Sequence, residues 1–177
     1  MNSSTFLKHT AQFILFVALQ VLLVDNLVLF GTGCCFKYIA FLLFLPIGSS
    51  RMWQLFLGFM LGFTVDMFYD TVGIHAAASV LLAFLRPLVL NLLTPRDGYD
   101  TNDSVNIHVM GWRWFLSYIF ILILFHHAAV FFLETINFQT ALYTLTKIIA
   151  STFFTATVMV ILQLLFFSPK RERVNYR

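Results

Sequence analysis

The chain has 177 residues, of which 60% are hydrophobic and 11% charged, with a formal charge of +3 and a mean hydropathy of +0.86. A soluble domain is about 45–50% apolar and about 25% charged, so the composition excludes a soluble globular fold, and it is far too apolar for a disordered chain. At about 20 residues per spanning helix, six helices use about 120 positions, which bounds the chain at five or six spans in one transmembrane domain and leaves no room for a soluble catalytic domain.

A transmembrane barrel would show strands of about ten residues alternating apolar and polar. The apolar runs here are continuous, as at 14–19 and 119–125, so the reading is an all-α, polytopic bundle. The first predicted span is 11–30. It follows Lys8, but no A-x-A-like cleavage site marks it as a signal peptide. Gly31-Thr32-Gly33-Cys34 lacks the Leu that a lipoprotein site has three residues before its Cys. Cys34 and Cys35 are adjacent, which is neither a disulfide framework nor a metal-binding spacing.

The second predicted segment, 36–47, has only about twelve apolar residues and runs into Pro46 and Gly48; it reads as a short or tilted span, or as a re-entrant piece. The third, 53–69, and the fourth, 74–93, are joined by the tight turn Asp70-Thr71-Val72-Gly73. A polar loop follows at 94–111, with Asp97, Asp100 and Asp103. The fifth span is 112–133, the sixth 141–167, and the tail 168–177 is basic.

Six spans put both termini on one side. Lys8, Arg51, Arg96, Arg113, Lys170, Arg171, Arg173 and Arg177 then share that side, against Lys37 and Lys147 on the other. Eight cations against two make it the cytoplasmic side. Trp53, Trp112 and Trp114 fall at predicted cytoplasmic helix ends, where amphipathic rings prefer the headgroup zone. The basic tail reads as an anchor at anionic headgroups of the bilayer, with no nucleic acid implied.

Polar residues inside spans are the candidates for a role. Gln54, Gly58, Gly62, Asp66 and Asp70 follow one another at intervals of four and so share one helix face. Gly58 and Gly62 form a small-xxx-small pattern that lets membrane helices approach closely. Two readings stand: packing against the fourth span, or an interface with another protein. Asp66 is costly within a span and should face protein or a wet cavity. The fourth span offers His75, Ser79 and Arg86 on one face. At about 1.5 Å per residue, Asp66 lies about 8 Å from the turn and Arg86 about 22 Å, so they do not pair. The expected partners of Asp66 are His75 or Ser79. Arg86 is expected to reach Gln54 or to snorkel to headgroups.

In the fifth span His126 and His127 are adjacent, not spaced i, i+4 as a zinc pair requires; polar packing, or pairing of His127 with Glu134 on its face, is expected. In the sixth, Lys147, Ser151 and Thr155 form a stripe whose hydroxyls should bond across helices, and Asp25 is the expected counter-ion of Lys147. No HExxH, GxSxG or Gly-rich phosphate loop is present, so neither an enzyme nor a cofactor site is read here.

The block Gly58-Phe-Met-Leu-Gly62-Phe-Thr-Val-Asp66, followed after the turn by Gly73-Ile-His75-Ala-Ala77, resembles the signature of the bacterial rod shape-determining protein MreD family. Chain length, helix number and cytoplasmic termini fit as well. The chain departs from the family pattern at Ala83-Phe84, where Gly-Tyr is frequent, and in the acidic loop 94–111. The resemblance implies a non-enzymatic, multi-pass component of the bacterial inner membrane. It implies binding to the MreC scaffold, and through it a coupling of MreB to peptidoglycan synthesis by RodA and a class B penicillin-binding protein. The family is similar in helical layout to the substrate-binding subunits of energy-coupling-factor transporters. A small-molecule transporter subunit of the vitamin type is therefore the alternative.

Overall fold

The computed structural model describes residues 12–18, 20, 34–99, 105–135 and 141–166. The stretch 12–18 is helical, within the first predicted span; Asp25 and the tail 168–177 lie outside the described residues, as does 100–104 of the polar loop. After a 3₁₀ turn at Lys37–Ile39 the elements are α1 (Ala40–Leu43), α2 (Arg51–Tyr69), α3 (Ile74–Leu92), α4 (Ile107–Met110), α5 (Trp112–Thr135) and α6 (Ala141–Phe166). Four helices, α2, α3, α5 and α6, are long and apolar enough to cross a membrane. Their bounds lie within two residues of the predicted third to sixth spans.

The turns follow from backbone chemistry. Helix α2 ends at Asp70, which adopts a left-handed conformation (φ 54°), and α3 begins after Gly73 (φ 78°). Gly carries no Cβ penalty there, and two left-handed residues within four reverse the chain tightly. Helix α2 then lies along α3, α3 along α5, and α5 along α6.

Segment two is no regular span. Residues 34–50 form the 3₁₀ turn, the single turn α1 and irregular backbone around Pro46 and Gly48, and residues 35–43 are buried throughout. Phe36 packs on His127 and Phe44 stacks on Phe115. The segment therefore runs beside α5 for about 18 Å, twelve residues at about 1.5 Å each. It contributes Tyr38, Ile39, Leu42 and Leu43 to a core completed by Leu61, Val65, Leu82, Phe115, Ile119, Leu122 and Met159. Irregular backbone at membrane depth is tolerated only where protein or a wet cavity satisfies its polar groups.

Candidate functional site

The Gly stripe of α2 faces α3. A Cβ on Gly62 would stand 2.5 Å from Ala76 Cα and 2.6 Å from its nitrogen, and one on Gly58 would stand 3.0 Å from the Ser79 carbonyl oxygen and 3.2 Å from Ala83 Cβ. The two helices touch backbone to backbone at Gly62. Of the two readings of the stripe, packing within the chain is the one realised by these glycines.

Asp66 closes the turn end of this hairpin. Its Oδ1 accepts from the His75 backbone N–H at 3.0 Å, from His75 Nδ1 at 3.0 Å and from Thr71 Oγ1 at 2.5 Å. Its Oδ2 accepts from the Ala76 N–H at 2.9 Å. His75 and Ala76 are the second and third residues of α3, whose N–H groups have no intrahelical partner. Asp66 thus does from the preceding helix what an N-cap side chain does locally, and its charge complements the positive end of the α3 dipole. The expected pairing with His75 is present. Ser79 is not a partner of Asp66; it is fully buried one turn along, under Gly58.

Beyond His75 the polar cluster continues into segment 34–50. The Phe36 ring lies 5.6 Å from His75, 5.8 Å from His126 and 5.1 Å from His127. Tyr38 Oη is 2.8 Å from His126 Nε2. His127 Nδ1 is 2.8 Å from the Ile123 carbonyl oxygen, to which it donates, which leaves its Nε2 to accept from Thr155 Oγ1 at 3.1 Å. Of the two expectations for His127, polar packing is the one realised, and the pair with Glu134 is not formed. Glu134 binds Lys147 at 3.3 Å instead; Asp25, the expected counter-ion of Lys147, lies outside the described residues. Both long side chains reach each other at the half-exposed ends of α5 and α6, whereas the His127 ring is held inside by Thr155.

At the other end, Arg86 corrects the expectation most sharply. The helix register places it level with Gln54, one turn below the Gly58–Ala83 contact. Yet it neither binds Gln54 nor snorkels: it is 0% exposed. Its Nε donates to Tyr118 Oη at 2.9 Å and its Nη2 to the Leu45 carbonyl at 2.5 Å, while Tyr118 donates to the Leu43 carbonyl at 2.9 Å. Gln54 Nε2 donates to the Ser49 carbonyl at 2.8 Å. Both polar residues are drawn away from one another by the unpaired carbonyls that follow α1, which also favour a cation at a helix C-terminus.

The N–H groups at the other end of the segment are held in the same way. Gln20 Oε1 accepts from Lys37 N at 2.7 Å and Tyr38 N at 3.3 Å, Ser151 Oγ from Cys34 N at 2.9 Å, and Thr155 Oγ1 from Phe36 N at 3.4 Å. The Ser151–Thr155 stripe does bond across elements: Thr155 Oγ1 reaches the His127 ring of α5, and both hydroxyls accept backbone N–H groups of the segment 34–50. Cys34 and Cys35 are free. The candidate site is thus a set of buried side chains from four helices and the first helical stretch that support one broken segment. Tyr38, Tyr118 and Gln20 escaped the sequence reading. Their signal was available: a Tyr or Gln inside an apolar span must find a hydrogen-bond partner.

Tyr118→Phe tests this support. It leaves the Leu43 carbonyl and Arg86 Nε unpaired and should lower stability by about 1–3 kcal/mol, read as thermal unfolding of the detergent-solubilised chain. Combined with Arg86→Met, the loss should be less than the sum of the two, because the substitutions remove a shared bond.

Comparison with family models, with curated proteins and with solved structures gives no match for this chain. The sequence and the described geometry define the class: an all-helical membrane protein with a broken, buried segment in its bundle.

Proposed function

We propose that the protein is a non-enzymatic component of a bacterial rod (elongation) complex in the inner membrane, of the MreD type. In this reading it binds an MreC-type scaffold and helps couple MreB to peptidoglycan synthesis by RodA and a class B penicillin-binding protein. The observation that carries the reading is the Gly58–Gly62–Asp66 and Gly73–His75 block. Its residues form one physical unit, a closely packed helix hairpin locked by a carboxylate across its turn. The chain crosses the bilayer six times with both termini cytoplasmic, the segment 34–50 descending through the bundle from the His127 level to the Phe115 level.

The transporter alternative has one observation in its favour. Discontinuous segments at membrane depth mark substrate sites in transporters, and 34–50 is such a segment. Two experiments separate the readings. The full chain should co-purify with an MreC-type scaffold from a rod-shaped bacterium. A screen of vitamins that raises the melting temperature, without scaffold recovery, would favour the transporter subunit. Reporter fusions after Leu93 and at Arg177 should both read cytoplasmic, and one at Thr71 external; an external C-terminus would overturn the six-pass arrangement.

A further inference from the structure

Beside the Gly stripe, which α3 occupies, one flank of the hairpin carries an open groove of about 990 Å³. Phe59, Phe63 and Met67 of α2 form one wall, and Ala77, Val80 and Phe84 of α3 the other. At its turn end the lining changes from apolar to polar with Asp70 and Thr71. Asp70 is exposed, and it takes no part in the ion pairs among the described residues, which are Asp66–His75 and Glu134–Lys147.

Length decides what fits. From Gly73 to Phe84 the groove follows α3 for eleven residues, about 16 Å at about 1.5 Å each. One leaflet of the hydrocarbon core is about 15 Å, half of about 30 Å. A spanning partner helix would leave half its length outside the groove. An acyl chain entering from the leaflet on the Asp70 side would fill it from end to end. Its headgroup would then lie beside the Asp70 carboxylate, which favours a cationic group over an anionic one.

We infer that the α2–α3 groove is a binding site for one phospholipid with an amine headgroup, its acyl chain between Phe63 and Val80 and its ammonium at Asp70. The site shares Asp66 and Ala76 with the edge of the glycine contact, and it does not rest on the scaffold reading.

The test places the full chain in nanodiscs of equal parts phosphatidylethanolamine and phosphatidylglycerol. Lipid retained after gentle detergent release is then counted by native mass spectrometry. The expected result is one retained phosphatidylethanolamine, enriched over phosphatidylglycerol. Ala77 is exposed, so Ala77→Trp fills the groove without entering the core and should abolish the retention. Met67→Trp on the facing wall replaces it if that variant fails to accumulate. Asp70→Asn should keep a lipid but reduce the preference for the amine headgroup by about twofold to fivefold, the range of an exposed ion pair. Equal retention of both lipids by the unaltered chain would overturn the proposal. So would unchanged retention in a folded groove-filling variant, or a protein helix crosslinked in the groove in lipid's place.

Discussion

Gly62→Ala should already prevent normal accumulation of the protein, and Gly62→Leu should do so completely. A Cβ at this position meets backbone atoms of Ala76 at 2.5 and 2.6 Å. Real contacts are never that short, and backbone on a helix cannot rotate away as a side chain can. The helices must separate, and overpacking of this kind costs about 1–3 kcal/mol, occasionally more. Separation also stretches the bonds from His75 and Ala76 to Asp66, so the loss should reach the top of that range. Gly58→Ala should be milder, because its Cβ would meet the Ser79 carbonyl oxygen at 3.0 Å and the movable Ala83 methyl at 3.2 Å. Phe56, half exposed on the lipid side, should accept Leu with little change. Melting temperatures of the three variants in one detergent check the order. A Gly62→Ala variant as stable as Phe56→Leu would show that the hairpin does not depend on close approach.

Asp66→Asn should be damaging, and Asp66→Leu more so. On the sequence alone, Asn looks tolerable: it has the size of Asp and keeps an acceptor. The geometry removes that expectation, because both carboxylate oxygens are used. One faces His75 and Thr71, and the other faces the Ala76 N–H. Asn turns an NH₂ group toward one set of donors, leaving a buried donor unsatisfied at about 1–3 kcal/mol. Leu strands both backbone N–H groups of α3 together with Thr71 and His75, which adds the loss of a cap worth about 0.5–2 kcal/mol. A structural clamp predicts that activity in cell-shape complementation falls in step with protein level for both variants. An ionisation-dependent role predicts that Asn accumulates normally and is as inactive as Leu. A well-expressed, inactive Asp66→Asn would therefore reject the clamp.

Much of the hairpin was legible in the chain. Spacing at intervals of four fixes a helix face without reference to anything else, and a tight turn between two helices fixes depth. Those two facts placed Gly58, Gly62 and Asp66 on one face and brought Asp66 to His75. The same arithmetic put Gln54 level with Arg86, which the register supports, and offered Arg86 a bond to Gln54 or a path to the headgroups, neither of which is present. It failed because depth along a helix says nothing about competing acceptors from a third element. Arg86 was claimed by Leu45 and Tyr118, Gln54 by Ser49, and His127 by Thr155. In each case the winner belongs to, or supports, the segment 34–50.

The sequence by itself determined the membrane solvent, the helical class, four of the spanning helices and the polar residues that needed partners. Composition and local periodicity carry that information, since each helix satisfies its own backbone. Only the tertiary structure decided which partners those residues found. A segment too short and too Pro- and Gly-broken to close its own hydrogen bonds must borrow donors and acceptors from whatever surrounds it. Its neighbours come from residues as far apart as Gln20 and Thr155. No spacing along the chain encodes that encounter; the packing of the bundle around Tyr38 and Leu43 creates it.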